Sequence, residues 1–212
     1  LKTYPSIYFM DKGKVVYSIK ENSIDFLEKF KKKPVVILQK KIDGYTSIIH
    51  NLSSGIANIL DHLTNVHNYK KIGFVRGPEN HHLSKARYDT YIDYLKNHNI
   101  PIDDRIISPW ENWSEKTGIS YIYHIIDKYK LKIGKDIEAI VCSNTNIAKG
   151  IIKELKKRGY SLPRDIAITG YNDDKEADVI SPSITLADPD FYQMGQIAVE
   201  NIIKLIEKEK VP

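Results

Sequence analysis

Asp165-Ile166-Ala167-Ile168-Thr169-Gly170 runs directly into Tyr171-Asn172-Asp173-Asp174. The first six residues form a short, β-branched apolar run that reads as a buried strand, and the polar residues after it stand where such a strand ends. Four more runs share this character: Ser6 to Met10, Pro34 to Leu38, Lys71 to Arg76 and Ile137 to Cys142. Between them apolar residues recur at helical spacing, as in Ile56, Ile59, Leu60, Leu63 and Val66, and again in Ala148, Ile151, Ile152 and Leu155. Strand and helix alternate at roughly 30-residue intervals, as in βα units whose right-handed crossovers set parallel strands between two helical layers.

Local punctuation marks the helix ends. Ser114 is placed to cap a helix that runs to Tyr129, and Gly159 falls where a helix C-terminus takes positive φ. The last helix is expected to have Asp188 as N-cap and Pro189 as its first residue, with Phe191, Met194, Ala198, Ile202 and Leu205 as its apolar stripe. Lys31, Lys32 and Lys33 close another helix, where cations complement the C-terminal dipole.

Over 212 residues, 42% are hydrophobic and 28% charged, a balance that excludes disordered and fibrous classes. The net charge of +5 comes entirely from residues 1 to 50, which hold ten lysines and five acids. The remainder is neutral overall, so no basic groove for nucleic acid is expected there. No stretch approaches the ~20 apolar residues of a membrane span, and no signal-peptide core opens the chain, so no membrane partner is expected. The single cysteine, Cys142, cannot form an internal disulfide and is expected to be a small buried apolar residue, in keeping with a reducing, cytoplasmic setting.

Chemistry-bearing motifs are scarce. His81 and His82 are adjacent, and His62 and His67 lie five apart on a helix, so neither pair shares a face at i, i+4 and no metal site is expected. There is no nucleophile elbow, P-loop or dinucleotide fingerprint, so no catalytic residue and no cofactor are expected, and the chain is not read as an enzyme. Asn172, Asp173 and Asp174 admit two readings: a ligand site at the carboxyl edge of a parallel sheet, or a turn whose side chains bond their own backbone.

A larger pattern favours the first. From Pro34 onward the sequence resembles the effector-binding domain of the LacI/GalR family of bacterial regulators, which has the type I periplasmic-binding-protein fold. The likeness rests on Pro34-Val-Val-Ile, Ile72-Gly-Phe-Val-Arg-Gly-Pro, Arg87, Ser143-Asn-Thr-Asn-Ile-Ala-Lys-Gly, Gly159 with Pro163, Asp165-Ile-Ala-Ile-Thr-Gly-Tyr-Asn-Asp, Ser181-Pro-Ser-Ile-Thr and Met194-Gly195, in order. It implies an α/β fold of two Rossmann-like parallel-sheet subdomains with interleaved connectivity and a ligand cleft between them. Residues 1–70 plus 188–212 would form an incomplete N-terminal subdomain and 71–187 the C-terminal one, with crossings near Asn68 to Lys71 and Ala187 to Asp188. Two βα units, about 50 to 60 residues, would precede Leu1, and closing strands would follow Pro212.

The resemblance implies ligand contacts from Arg87, Trp113, Asn144, Asn172 and Asp188. A guanidinium fork, amides, a carboxylate and an indole face suit a sugar or related small polar molecule. Read without the resemblance, Trp113 could be core and Arg87 a surface ion pair. Asn51, Thr145 and Asn172 stand where the family usually has Asp, which implies a less acidic cleft and favours an anionic sugar; Asp188 restores one acid. The implied function is a ligand-sensing domain of a transcription regulator, homodimeric, touching DNA only through a domain outside this chain. The alternative is a receptor module of a diguanylate cyclase or histidine kinase, which Val66-His-Asn-Tyr-Lys-Lys71 and Arg76-Gly-Pro-Glu-Asn-His81 resemble.

Overall fold

The computed structural model describes residues 6–10, 13–17, 27, 30, 33–38, 41–49, 52–171, 183–188 and 190–208. The chain divides into two units, Leu1–His50 with Asp190–Pro212, and Asn51–Pro189.

In the first unit, β1 (Ser6–Met10), β2 (Gly13–Tyr17), β3 (Val35–Leu38) and β4 (Thr46–Ile48) form one sheet in that order. Strands β2, β3 and β4 are parallel, but β1 pairs antiparallel with β2, a departure from the all-parallel expectation. Alternation along β3 sorts its side chains. Val36 and Leu38 meet Met194, Ala198 and Ile202 of the last helix, while Val35 and Ile37 meet Leu27 and Phe30 on the other face. That helix spans Phe191–Ile206 and is capped by Asp190, whose carboxylate accepts from the Gln193 N–H at 2.8 Å. Asp188, expected as the cap, lies two residues too early and follows a strand instead.

The second unit holds four parallel strands in sequential order: β5 (Ile72–Val75), β6 (Ala139–Cys142), β7 (Ala167–Tyr171) and β8 (Thr185–Ala187). α1 (Leu52–Asp61) and α2 (His82–Asn97) cover one face; α3 (Glu115–Ile122) and α4 (Thr145–Lys157) cover the other; the helix of the first unit is α5. Ile56, Leu60 and Leu63 pack with Phe74, Tyr91 and Val141, whereas Ile140 and Cys142 pack with Ile122, Ile147 and Ile151. The contacts of α1 place residues 51–70 in this unit rather than in the first, because the stripe at Ile56, Leu60 and Leu63 is complementary to β5 and α2. Cys142 is fully buried, and burial holds its thiol far above the usual range, as expected of an inert core residue.

Two helices end in wider turns. α1 continues as a π-helical turn over His62–Val66, and α3 as another over Tyr123–Lys128. The Ser114 cap is present, its hydroxyl accepting from the Thr117 N–H, and Gly159 has φ of +87°. α3 and α4 approach backbone to backbone: a Cβ on Gly118 would strike the Ile147 carbonyl oxygen, and one on Gly150 that of Glu115.

Candidate functional site

The parallel strands of the second unit deliver Arg76-Gly77 after β5 and Ser143-Asn144 after β6 at their carboxyl ends, where β7 ends at Tyr171. Arg87, reaching in from α2, is only 3% exposed. Its Nη1 donates to the Ser143 carbonyl at 2.6 Å, and its guanidinium carbon lies 3.7 Å from the centre of the Tyr171 ring and 5.8 Å from that of Trp113. The surface ion-pair reading is therefore excluded: this is a buried cation set against the Tyr171 ring, with Trp113 nearby, and fixed to the end of β6. Burial pushes the Tyr171 phenol up, with the Arg87 charge opposing that shift.

Trp113 leans on the core of the second unit and on Gly77, where a Cβ would collide with the indole nitrogen. Only glycine there lets the indole lie against the backbone, and the Gly77 N–H is secured by the Ser84 hydroxyl at 3.0 Å. His81 stands edge-on to Trp113 with ring centres 4.4 Å apart and caps α2, its Nδ1 accepting from the Leu83 N–H. Burial first, then His82 and Arg87, push the His81 imidazole down to about 4, so the ring facing Trp113 is neutral near pH 7.

Two buried polar atoms in this cluster, Trp113 Nε1 and Ser143 Oγ, have no hydrogen-bond partner among the described residues. Buried polar groups are nearly always paired, so two orphans beside a fixed cation are unusual for a packed strand edge.

Asn144 is the N-cap of α4, its Oδ1 accepting from the Ile147 N–H at 2.9 Å, so its NH2 is what it can offer a ligand. Thr145, read from sequence as a lost acid of the cleft, is buried and donates to the Tyr171 carbonyl at 3.0 Å, tying α4 to the end of β7. Asp188 is exposed just past β8, and its charge acts on Tyr171. Asn172, with Asn51, Asp173 and Asp174, lies outside the described residues. Arg87, Trp113 and Asn144 thus share one strand edge, joined by Ser143, Tyr171, Gly77 and His81, which sequence reasoning did not assign. A cavity of about 520 Å³ opens beside them between Pro78–Asn80 and Trp110–Thr117; it is formed by the loops that carry Gly77 and Trp113 but not lined by the expected residues themselves.

Residues 60–212 match the model of a periplasmic binding protein-like domain. The transcriptional regulator RegA of Clostridium saccharobutylicum is 30% identical over 126 residues, 58% of this chain and 36% of that protein. The NTD biosynthesis operon regulator NtdR of Bacillus subtilis is 31% identical over 164 residues, 77% of this chain and 44% of that protein. The chain thus spans less than half the length of these two relatives. Among solved structures, a sugar-binding transcriptional regulator of the LacI family from Escherichia coli, complexed with phosphate, has a TM-score of 0.80 at 20% identity, covering 93% of this chain and 70% of that one. These relatives are regulators by name, in keeping with the expectation that this chain is not itself an enzyme. With the matched model covering most of its length and the alternating fold laid out as the motifs implied, the chain belongs to the periplasmic binding protein-like domain family.

Proposed function

We propose that this chain is the effector-sensing part of a homodimeric cytoplasmic transcription regulator, and that it binds a small polyhydroxylated ligand, a sugar or sugar derivative, at the carboxyl edge of the β5–β8 sheet. The observation that carries the reading is the pair of orphaned buried atoms, Trp113 Nε1 and Ser143 Oγ, flanking Arg87. A donor and a hydroxyl beside a cation and two aromatic faces match a ligand with hydroxyl groups, an apolar C–H face and a partial or full negative charge. Asn144 supplies an amide N–H and Asp188 a carboxylate at the rim; Asn172 is assigned by the family likeness alone. DNA contact belongs to another part of the protein. A ligand that favours one conformation over another shifts the population, and the difference in its two affinities sets the largest response it can produce.

The name of the E. coli structural neighbour, a sugar-binding regulator complexed with phosphate, supports a hydroxylated and an anionic component in the ligand class. Calorimetric titration of the chain with matched pairs of neutral and phosphorylated sugars tests the reading. Tighter binding of the phosphorylated member, weakened by salt, is expected. Binding of the neutral sugar alone would remove the anionic element, and no binding of any pair would remove the sensing role.

A further inference from the structure

We propose that His62 and His67 form a binding site for a borderline divalent transition-metal cation, Cu²⁺ ahead of Zn²⁺, independent of the effector site. The two residues are five apart, a spacing that separates side chains on an α-helix. The backbone between them is a π-helical turn over His62–Val66, wound more widely than an α-helix, with His67 as its C-cap, and in this turn the two side chains meet. The Nε2 atoms consequently stand 3.2 Å from each other.

The geometry suits a shared ion better than a straight hydrogen bond. Two imidazole nitrogens each about 2.0–2.1 Å from one metal lie about 2.9 Å apart at a right angle and about 3.4 Å apart at the tetrahedral angle, so 3.2 Å falls inside the range. A linear N–H···N bond would hold the ring centres about 5.5 Å apart at that nitrogen separation. The observed 4.8 Å means that the rings meet at an angle, as two ligands of one centre do.

The turn itself is held in place. The Tyr69 N–H closes it by donating to the Leu63 carbonyl at 3.0 Å, and Asn68 turns the chain with φ of +59°. The Tyr69 ring stacks on His67 with centres 5.3 Å apart, and the Thr64 hydroxyl donates to the Leu60 carbonyl at 2.8 Å. Neighbouring Asp61 accepts from the Tyr94 hydroxyl at 2.7 Å, which engages it in packing. Among the described residues no group of three or more His, Cys, Asp or Glu side chains gathers round an ion, so the site has two protein ligands and open positions for water. Neutral imidazole selects copper, nickel and zinc over magnesium and calcium, and the order of divalent affinities puts Cu²⁺ first.

The test is titration of the whole chain with Cu²⁺ alone, in a buffer that does not chelate, read by calorimetry and by the nitrogen couplings of the Cu²⁺ electron paramagnetic resonance spectrum. One ion per chain with two coupled nitrogens is expected, together with no response to Mg²⁺. Both rings are exposed, so His62→Gln and His67→Gln are expected to melt as the parent does without metal, while each loses Cu²⁺ affinity at least tenfold. A smaller loss in either variant, or a parent spectrum without two coupled nitrogens, overturns the proposal. The sugar titrations have a separate readout, so failure of one reading leaves the other intact.

Discussion

The two ends of the β5–β8 sheet are built from similar residue types to opposite effect. At the amino end, one carboxylate oxygen of Glu138 accepts from the N–H groups of Lys70 and Lys71, both at 2.9 Å, and Lys71 Nζ donates to the Lys135 carbonyl at 2.7 Å. Asp136 likewise accepts from the Lys132 N–H at 2.8 Å. Charges there meet backbone groups in the open, each with its partner in place. At the carboxyl end a cation is buried among aromatic rings, with two polar atoms beside it left over. A fold does not need orphans for its own stability, since each costs about 1–3 kcal/mol when buried. Among the described residues these orphans lie at the carboxyl ends of the strands, the edge at which the proposed ligand would bind and at which α/β sheets generally bind ligands.

Four perturbations test that contrast, beginning with the most severe. Arg87→Ala removes a buried donor from the Ser143 carbonyl and a cation from the Tyr171 face, and is expected to lower unfolding free energy by about 2–4 kcal/mol as well as ligand affinity. Arg87→Lys keeps the charge without the planar fork and is expected to recover only part of the affinity. Denaturant unfolding and calorimetry on both variants separate the two effects; full stability in the alanine variant would deny Arg87 its place as an internal strut.

Gly77→Ala drives a methyl group into the Trp113 indole, with an overpacking cost of about 1–3 kcal/mol. A changed tryptophan emission spectrum, with loss of ligand binding beyond the loss of stability, is the expected signature. An unchanged spectrum would show that the indole can move aside freely.

The third perturbation is acid. His81 binds a proton less readily folded, at about 4, than unfolded, at 6.5, so the unfolded chain takes up more protons in between. Stability from this residue is therefore complete above about pH 6.5 and lost as the pH falls towards 4, by no more than on the order of 2 kcal/mol for a ring that is only partly buried. His81→Asn retains a good helix cap and removes the titration, so its melting temperature is expected to fall less between pH 7 and pH 5 than that of the parent. Parallel curves would assign the acid response to other groups.

The smallest effect is expected at the amino edge. Glu138→Gln exchanges a charged acceptor for a neutral one at a half-buried position and is expected to cost less than about 1 kcal/mol, with ligand affinity unchanged. A loss of affinity there would erase the distinction between the two edges.

How much of this was visible in the residues differs by element. β3, β5, β6 and β7 announced themselves as apolar β-branched runs, and their burial on both faces explains why. β4 and β8 are three residues each, with Thr and Ser among them, too short for any periodicity to register. Asp188 and Asp190 flank the same proline; the pattern of cap and Pro at the first helical position favoured Asp188, but the hydrogen bond to Gln193 is made by Asp190. The π-helical turns were illegible because spacing was judged against a 3.6-residue repeat, which places His62 and His67 apart. Of the residues gathered at that edge, Arg87 and Asn144 stood in family motifs and Trp113 was named by the resemblance alone, whereas Ser143 and Tyr171 contribute a carbonyl and a ring face whose use depends on where α2 delivers its arginine.

The glycine contacts between α3 and α4 bear on how a bound ligand would be felt. Gly118 sits against the first turn of α4 and Gly150 against the first residue of α3, so the starts of the two helices are locked like meshed gear teeth with no side chain to act as a cushion. Trp113 immediately precedes one of those starts, and Ser143 and Asn144 the other. The Trp113 loop and the Ser143 carbonyl that holds Arg87 are thus linked through backbone contacts between the two helix starts. A ligand that engaged either loop at the proposed site would therefore press on a helix–helix contact that has no side chain to absorb the load.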